Sequence, residues 1–128
     1  VDFTIAHPKG YELAPEFAGN ATICYDPKEA YEGADFIYAK NWSSYQDYGK
    51  ILCSDPAWMV TMDKMKRTNN AKFMHCLPVR RNVVVEDAVL DSEHSIVVQQ
   101  AGNRVWAAQV VLKEMLLTQM RTESPYLF

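Results

Sequence analysis

Short apolar runs alternate with stretches of helical periodicity along most of this chain. Five short, largely apolar runs predict β-strands. They span residues 2–7, 21–25, 35–40, 72–75 and 95–99.

Helices are predicted between these runs. Asp26 and Asp55, each followed by proline, have the form of an N-cap with proline at the first helical position. They predict a helix over 28–33 and another that continues to about residue 68. Asn103 predicts the cap of a long amphipathic helix ending near residue 120, and 83–90 predicts a turn with one helical segment.

The alternation of strands and helices predicts an α/β fold with a mainly parallel sheet and helices on both faces. In such sheets, ligands bind beyond the carboxyl ends of the strands. The polar residues predicted at that edge are His7, Tyr25, Asp26, Lys40, Asn41, Trp42, His75, Cys76, Gln99 and Gln100, with Arg104 on the first turn of the next helix. This clustering locates a site without naming its chemistry.

Composition narrows the class of protein. The 128 residues, 48% apolar and 23% charged, suit one domain that no linker divides. A net charge of −3 with scattered basic residues argues against nucleic acid or a membrane surface as a partner. No apolar run approaches the ~20 residues that cross a bilayer, and signal-peptide features are missing at residue 1, so we expect a cytoplasmic location.

The three cysteines, Cys24, Cys53 and Cys76, lack the C-x-x-C spacing of zinc sites. They are also an odd number, which does not suit a disulfide framework. We therefore expect reduced thiols and no metal site.

The most informative segment is 73–81, where a strand ends in His75 and Cys76 and a proline turn leads to Arg80 and Arg81. Neighbouring residues of an extended chain point to opposite faces, so His75 cannot act as the base for Cys76 by adjacency. The two arginines are either solvated surface charge or a bidentate clamp for a carboxylate or phosphate.

Two further cations belong to the predicted edge. Lys40 ends an apolar strand, where its amine either projects to solvent or binds a ligand. Arg104 follows the predicted cap Asn103, where a cation opposes the positive end of the helix dipole unless an anion is bound. That placement favours a phosphate or carbonyl ligand at Arg104.

These residues resemble the second-substrate domain of the aspartate/ornithine carbamoyltransferase family. The resemblance rests on His75-Cys76-Leu77-Pro78 with the arginines that follow, on Gly102-Asn103-Arg104, and on the loop Lys40-Asn41-Trp42-Ser43-Ser44. It extends over nearly the whole chain and is strongest to the N-acylornithine branch, particularly its N-succinylornithine type. It implies a Rossmann-like domain at 1–121 that binds the ornithine derivative and is incomplete at its N-terminus, followed by a tail at 122–128.

The resemblance also implies a reaction. The δ-amine of an N-acylated ornithine attacks carbamoyl phosphate, giving N-acylcitrulline and phosphate in arginine biosynthesis, with no metal or organic cofactor. Cys76 and the Leu77 carbonyl would orient the reacting groups, and both would contact carbamoyl phosphate. Arg104 would bind carbamoyl phosphate and stabilise charge on the departing phosphate.

By the same resemblance, Lys40, Leu77 and Arg80 would bind the acylornithine, with His75 and Trp42 as further candidates.

The loop at Lys40 discriminates within the family. Enzymes that use free ornithine have an aspartate two residues before the loop tryptophan and a Ser-Met-Gly run after it, whereas this chain has Lys40 and Ser44-Tyr45-Gln46. A lysine repels an α-amine but attracts a carboxylate, so the inverted charge favours an acylated substrate. Val84 stands where the N-acetyl type has a modifiable lysine, which favours succinyl over acetyl.

The family's carbamoyl-phosphate domain, with its Ser-Thr-Arg-Thr-like loop, has no counterpart in these residues. We therefore expect a fragment, inactive alone, whose full-length form includes the missing N-terminal domain and is a homotrimer. A nucleotide-binding oxidoreductase domain is disfavoured because no G-x-G-x-x-G follows a strand. A non-catalytic small-ligand-binding or interaction domain with the same α/β fold stays open.

Overall fold

The computed structural model describes residues 1–41, 43, 44 and 46–123. The strands are β1 (Thr4–Ala6), β2 (Thr22–Cys24), β3 (Phe36–Ala39) and β4 (Lys72–His75). The α-helices are α1 (Pro15–Ala18), α2 (Met62–Met65), α3 (Asp87–Leu90) and α4 (Val97–Glu123), and 3₁₀ turns span Glu29–Tyr31 and Pro56–Trp58. The predicted α/β class is confirmed, with strands that all pair in parallel.

The strands form two separate parallel pairs. β1 pairs with β2, and β3 pairs with β4 in the register Phe36↔Lys72 to Ala39↔His75. Four of the five predicted strands are confirmed, each at its predicted place, although they are joined in two pairs instead of one continuous sheet. The β3–β4 register brings the chain segments after Ala39 and His75 out side by side.

The predicted fifth strand at 95–99 is wrong. Only Ser95 forms a bridge, to Phe73, and the Ile96 amide then donates to the Phe73 carbonyl at 2.9 Å. The Gln100 amide donates to the Ile96 carbonyl, so helical bonding starts at this point. A short apolar run does not distinguish strand from helix by pattern, and here local helical hydrogen bonds prevail after one bridge.

The early start of α4 also corrects the predicted cap at Asn103. Asn103 and Arg104 lie inside a helix that begins at Val97, about two turns upstream. The dipole argument for Arg104 therefore fails, because the field of a helix end decays within its first turn. α4 continues to Glu123, and residues 124–128 of the predicted tail lie outside the described residues.

The predicted helix from Asp55 to about residue 68 is divided in two. Asp55 caps the 3₁₀ turn by accepting from the Ala57 amide at 2.8 Å, and Thr61 caps α2 by accepting from the Lys64 amide. Between them, Val60 is extended and its amide donates to the Val84 carbonyl at 2.8 Å. This long-range bond interrupts the helix, and the local pattern of apolar residues could not predict it.

The remaining local predictions are partly confirmed. The helix expected over 28–33 is only a 3₁₀ turn, preceded by the Lys28 amide donating to the Asp26 carboxylate at 2.7 Å. The helical segment expected within 83–90 is α3. α1 was not predicted.

The hydrophobic core lies around β4. Its centre is formed by side chains that are almost completely buried: Val60, Met65, Ala71, Phe73, Val85 and Val89. Val97 joins them, but every residue of α4 from Gly102 to Gln119 is exposed, including Trp106 at 68%. The beginning of α4 is therefore anchored on the core, and its remainder is not. No helix within the described part of the chain is long and apolar enough to cross a bilayer.

Candidate active site

The carboxyl ends of β3 and β4 bring Lys40 and Cys76 into contact. Their neighbours Ala39 and His75 are register partners, so the next residue of each strand emerges at the same edge. The ammonium Nζ of Lys40 donates to Cys76 Sγ at 3.2 Å. The prediction that these two residues share a sheet edge is confirmed by this contact.

Arg104 reaches the same edge from α4. Its Nη2 donates to the Cys76 carbonyl at 3.1 Å. The side chain thus spans from the helix to the turn after β4, although it is not at a helix terminus. Lys40, Cys76 and Arg104 form a cluster of two exposed cations around one half-buried thiol.

The turn after β4 is held by His75, which is completely buried. The Leu77 amide donates to His75 Nδ1 at 2.9 Å. A nitrogen that accepts this bond carries no proton, so the ring proton of the neutral imidazole is on Nε2. Burial, with the nearby Lys40 charge, lowers the pKa of His75 and keeps the ring neutral at neutral pH.

Leu77 occupies a backbone conformation that side chains disfavour. Its φ is 52°, in the left-handed region, and the peptide to Pro78 is cis. Asn41 Nδ2 donates to the Pro78 carbonyl at 3.1 Å, which ties the loop after β3 to this turn. Contacts from both strands hold the Leu77 backbone in place, as strained backbone at binding sites requires.

The electrostatics of Cys76 are set by Lys40. Their hydrogen bond is the main cause of the lowered pKa of the Cys76 thiol, and the lysine charge and a hydrogen bond from Tyr38 add to it. His75 does not take part as a base, in line with the strand-geometry argument, because its Nδ1 is bonded to the Leu77 amide. The Lys40–Cys76 contact itself was missed, although the β3–β4 register would have revealed it.

The structure separates the two adjacent arginines. Arg81 donates to Asp87 at 2.7 Å and to both oxygens of Asp91 at 2.7 and 2.8 Å. These bonds lower the pKa of both carboxyl groups and raise that of the guanidinium. Arg80 is exposed and has no ion pair among the described residues. Of these two arginines, Arg80 is therefore the one whose guanidinium can bind a ligand.

Other predicted edge residues lie elsewhere. His7, at the end of β1, packs edge-on against the Tyr25 ring at 5.2 Å between centroids, and its Nδ1 lies 2.9 Å from the Pro8 carbonyl. Gln99 and Gln100 lie in the first turn of α4 instead of at a strand end. Trp42 lies outside the described residues.

The strand pair, its Lys–Cys–Arg edge and the H-C-L-P turn define the class of protein. The family model described as "Aspartate/ornithine carbamoyltransferase, Asp/Orn binding domain" matches residues 1–115. The chain belongs to this family, as its sequence motifs predicted.

Two relatives named for acylated ornithines match most of this chain. Over 117 residues, the chain is 57% identical to the N-succinylornithine carbamoyltransferase of Bacteroides thetaiotaomicron, covering 90% of this chain and 37% of that protein. It is 40% identical to the N-acetylornithine carbamoyltransferase of Xylella fastidiosa, covering 70% of this chain and 29% of the relative. The chain thus spans only 37% and 29% of the length of these two relatives.

A solved structure supports the fold assignment. Acetylornithine transcarbamylase complexed with acetylcitrulline superposes with a TM-score of 0.70 at 35% identity, covering 80% of this chain and 36% of that one. A related structure of N-acetyl-L-ornithine transcarbamylase holds carbamyl phosphate and N-succinyl-L-norvaline, with the same TM-score and coverage. The chain therefore has the architecture of part of a carbamoyltransferase domain.

Proposed function

We propose that this chain is the acylornithine-binding part of a carbamoyltransferase that transfers the carbamoyl group of carbamoyl phosphate to the δ-amine of N-succinylornithine. The products are N-succinylcitrulline and phosphate, a step of arginine biosynthesis. The observation that carries the proposal is the convergence of Lys40, Cys76 and Arg104 at one strand edge. The family membership and the carbamyl-phosphate complex of the related structure support it.

Carbamoyl transfer needs a neutral amine held in line with a polarised carbonyl, and stabilisation of the departing phosphate. Arg104 supplies a cation that a hydrogen bond to the Cys76 carbonyl holds at the edge. Cys76 and the Leu77 carbonyl, in their constrained turn, orient the amine and the carbamoyl group. These roles are positional and electrostatic, with no covalent intermediate on the thiol and no cofactor.

The substrate's carboxylates are assigned to Lys40 and Arg80. Neither cation has a carboxylate partner among the described residues. N-acetylornithine carries one carboxylate, on its α-carbon, whereas N-succinylornithine carries that one and a second on its acyl group. Two unmatched cations therefore favour succinyl, and the greater identity to the succinyl-type relative agrees.

The rest of the enzyme is proposed to lie outside these residues. A carbamoyl-phosphate domain on the N-terminal side would complete the site, and the full-length protein would be a cytoplasmic homotrimer. The coverage of 37% of the Bacteroides thetaiotaomicron relative supports a larger whole. We accordingly expect the 128-residue chain to show no carbamoyl transfer, and detectable citrulline-derivative formation by the isolated chain would contradict this.

A hybrid enzyme tests the function. In it, this chain replaces the matching 117 residues of the Bacteroides thetaiotaomicron enzyme. Calorimetric titration of the hybrid, preloaded with carbamoyl phosphate, compares N-succinylornithine, N-acetylornithine and ornithine, and product formation is followed in parallel. We expect the order succinyl, acetyl, free ornithine, with the parent enzyme as the control for assembly.

The other outcomes are equally informative. Tightest binding of free ornithine would refute the role of Lys40, and a preference for acetyl would refute the succinyl assignment. A correctly assembled hybrid that binds none of the three would favour a non-catalytic domain of the same fold.

A further inference from the structure

We propose that Lys40 and Cys76 form an oxidation-sensitive site, at which a hydroperoxide converts the Cys76 thiolate to a sulfenic acid. The site consists of two side chains from neighbouring strand ends, with Lys40 Nζ in hydrogen-bond contact with Cys76 Sγ at 3.2 Å. The thiol is half-buried and the lysine is exposed, so a small oxidant can reach the sulfur from solvent.

The charges around the sulfur favour its anionic form. Lys40 contacts Sγ directly, and Arg104 places a second cation on the carbonyl of the same residue at 3.1 Å. The neighbouring His75 is neutral and brings no competing positive charge. Among the described residues no carboxylate pairs with Lys40, so its charge is not diverted from the thiol. The lowered pKa of Cys76 agrees with this arrangement.

The proposed step is a two-electron oxidation. The thiolate attacks one oxygen of the peroxide, a sulfur–oxygen bond forms and the oxygen–oxygen bond breaks. Hydroxide leaves from hydrogen peroxide, or an alkoxide from an organic peroxide, and takes a proton from water or from the adjacent ammonium. The sulfur is oxidised and the peroxide is reduced, so no further reactant is needed.

The other two thiols provide internal comparisons. Cys24 is buried, its Sγ donates to the Asp26 carbonyl at 3.2 Å, and the Glu29 carboxylate lies 4.0 Å away. The sulfur of Cys24 therefore faces oxygen atoms instead of a cation. Cys53 is half-buried like Cys76, but within the described residues its thiol has no hydrogen bond or ion pair. Cys53 therefore matches Cys76 in burial class and differs in its charge environment.

Peroxide trapping on the 128-residue chain tests the site. The chain is treated at pH 7 with hydrogen peroxide and dimedone, and the adduct at each cysteine is quantified by peptide mass spectrometry over time. We expect Cys76 to be labelled several-fold faster than Cys53, because only Cys76 has an ammonium group in hydrogen-bond contact with its sulfur. In guanidinium chloride the three rates should converge, because the folded contact is lost.

Variants of Lys40 separate charge from packing. Lys40→Met and Lys40→Gln should slow labelling of Cys76 to the Cys53 rate, whereas Lys40→Arg should retain most of it. Labelling of Cys53 should not change in any variant. Equal rates at Cys76 and Cys53 in the native chain, or a Cys76 rate unaffected by Lys40→Met, would overturn the proposal.

If the isolated chain does not fold, the same labelling is carried out on the hybrid enzyme. Equal rates at Cys76 and Cys53, or a Cys76 rate unaffected by Lys40→Met, would overturn the proposal there as well. Thiol chemistry is measured in both, so its result and that of the carbamoyl-transfer assay are independent.

Discussion

Arg80 and Arg81 are adjacent in the chain and have opposite surroundings. Arg81 is matched by the carboxylates of Asp87 and Asp91, whereas Arg80, like Lys40, has no carboxylate partner within the described residues. A cation that is already neutralised stabilises its own surroundings, and an unmatched one at a strand edge can bind an anionic ligand. Two regions of the molecule therefore differ. In the closed ion cluster, formed by Arg81, Asp87 and Asp91, the cation is paired with carboxylates. At the open edge, formed by Lys40, Cys76 and Arg104, the cations contact a thiol and a carbonyl but no carboxylate of the described residues.

The strongest test of the open edge is Arg104→Ala in the hybrid enzyme. Removing a donor that stabilises transition-state charge typically lowers the rate by roughly 10²- to 10³-fold. We expect a loss of this size in kcat, a large rise in KM for carbamoyl phosphate and a much smaller change for N-succinylornithine, measured by steady-state kinetics.

Arg67→Ala is the matched control, because Arg67 is exposed and pairs with Glu32 at 2.9 Å. It should leave both KM values unchanged. Equal losses of affinity for the two substrates in Arg104→Ala would show that its assigned role is wrong.

Charge reversal at Lys40 should affect the other substrate. Lys40→Asp places a carboxylate where the substrate's carboxylate is proposed to bind, and breaking such a charge pair costs roughly 2–5 kcal/mol of binding. We expect KM for N-succinylornithine to rise about 30-fold or more by that estimate, with KM for carbamoyl phosphate nearly constant.

The same charge change at the exposed residue Lys9 serves as the control. If Lys40→Asp and Lys9→Asp gave the same kinetics, Lys40 would not bind the substrate.

Substitutions of His75 test whether the turn after β4 depends on this buried side chain. His75→Leu leaves the Leu77 amide without its acceptor, which should cost roughly 1–3 kcal/mol of stability. His75→Asn should recover most of this, since an asparagine side chain can accept from the amide two residues ahead. Denaturant unfolding of the hybrid measures both.

The stability that His75 contributes through its hydrogen bond with the Leu77 amide depends on pH in a defined direction. The pKa of His75 is lowered in the folded state from its ordinary value of 6.5. The unfolded chain therefore binds more protons as the pH falls below 6.5, and the stability of the native protein decreases until the folded-state pKa is passed. His75→Asn should not show this decrease, and a parallel pH profile for the two proteins would contradict the neutral-imidazole assignment.

The smallest effect is expected in the closed ion cluster. Arg81→Gln should lower Tm slightly, because the pairs are exposed to solvent, and should leave the KM of both substrates unchanged. The pKa values of Asp87 and Asp91 are lowered from 3.8, so the stabilisation is present above that pH and is lost as the pH falls through the folded-state values.

Thermal unfolding of Arg81→Gln and native protein should therefore converge in acid. A large rise in KM for N-succinylornithine would instead place Arg81 in the site and remove the contrast with Arg80.

Much of the fold follows from local patterns. Four strands were predicted from short apolar runs, because the β-branched and aromatic residues of these runs favour the extended conformation. The fifth was not a strand, and the helix after Asp55 was interrupted at Val60. In both places, one long-range backbone bond decides the conformation, from Ile96 to Phe73 and from Val60 to Val84. Local periodicity carries no information about such partners.

The candidate site was predicted in part. Lys40, Cys76 and Arg104 were expected at one edge and do meet there. The reason for Arg104 was wrong, since its helix begins at Val97. His75 proved to be a buried support of the turn, while ligand contact by Arg80 and Trp42 stays a prediction.

The sequence by itself determined the family and the residues that are proposed to carry its chemistry, because the H-C-L-P turn and the Lys40 loop are local motifs that folding does not alter. Only the tertiary structure decided which charges are matched. Arg81 finds Asp87 and Asp91, and Lys40 finds Cys76, through contacts between separate elements. Coulombic energy depends on distance in space, which residue types alone do not specify.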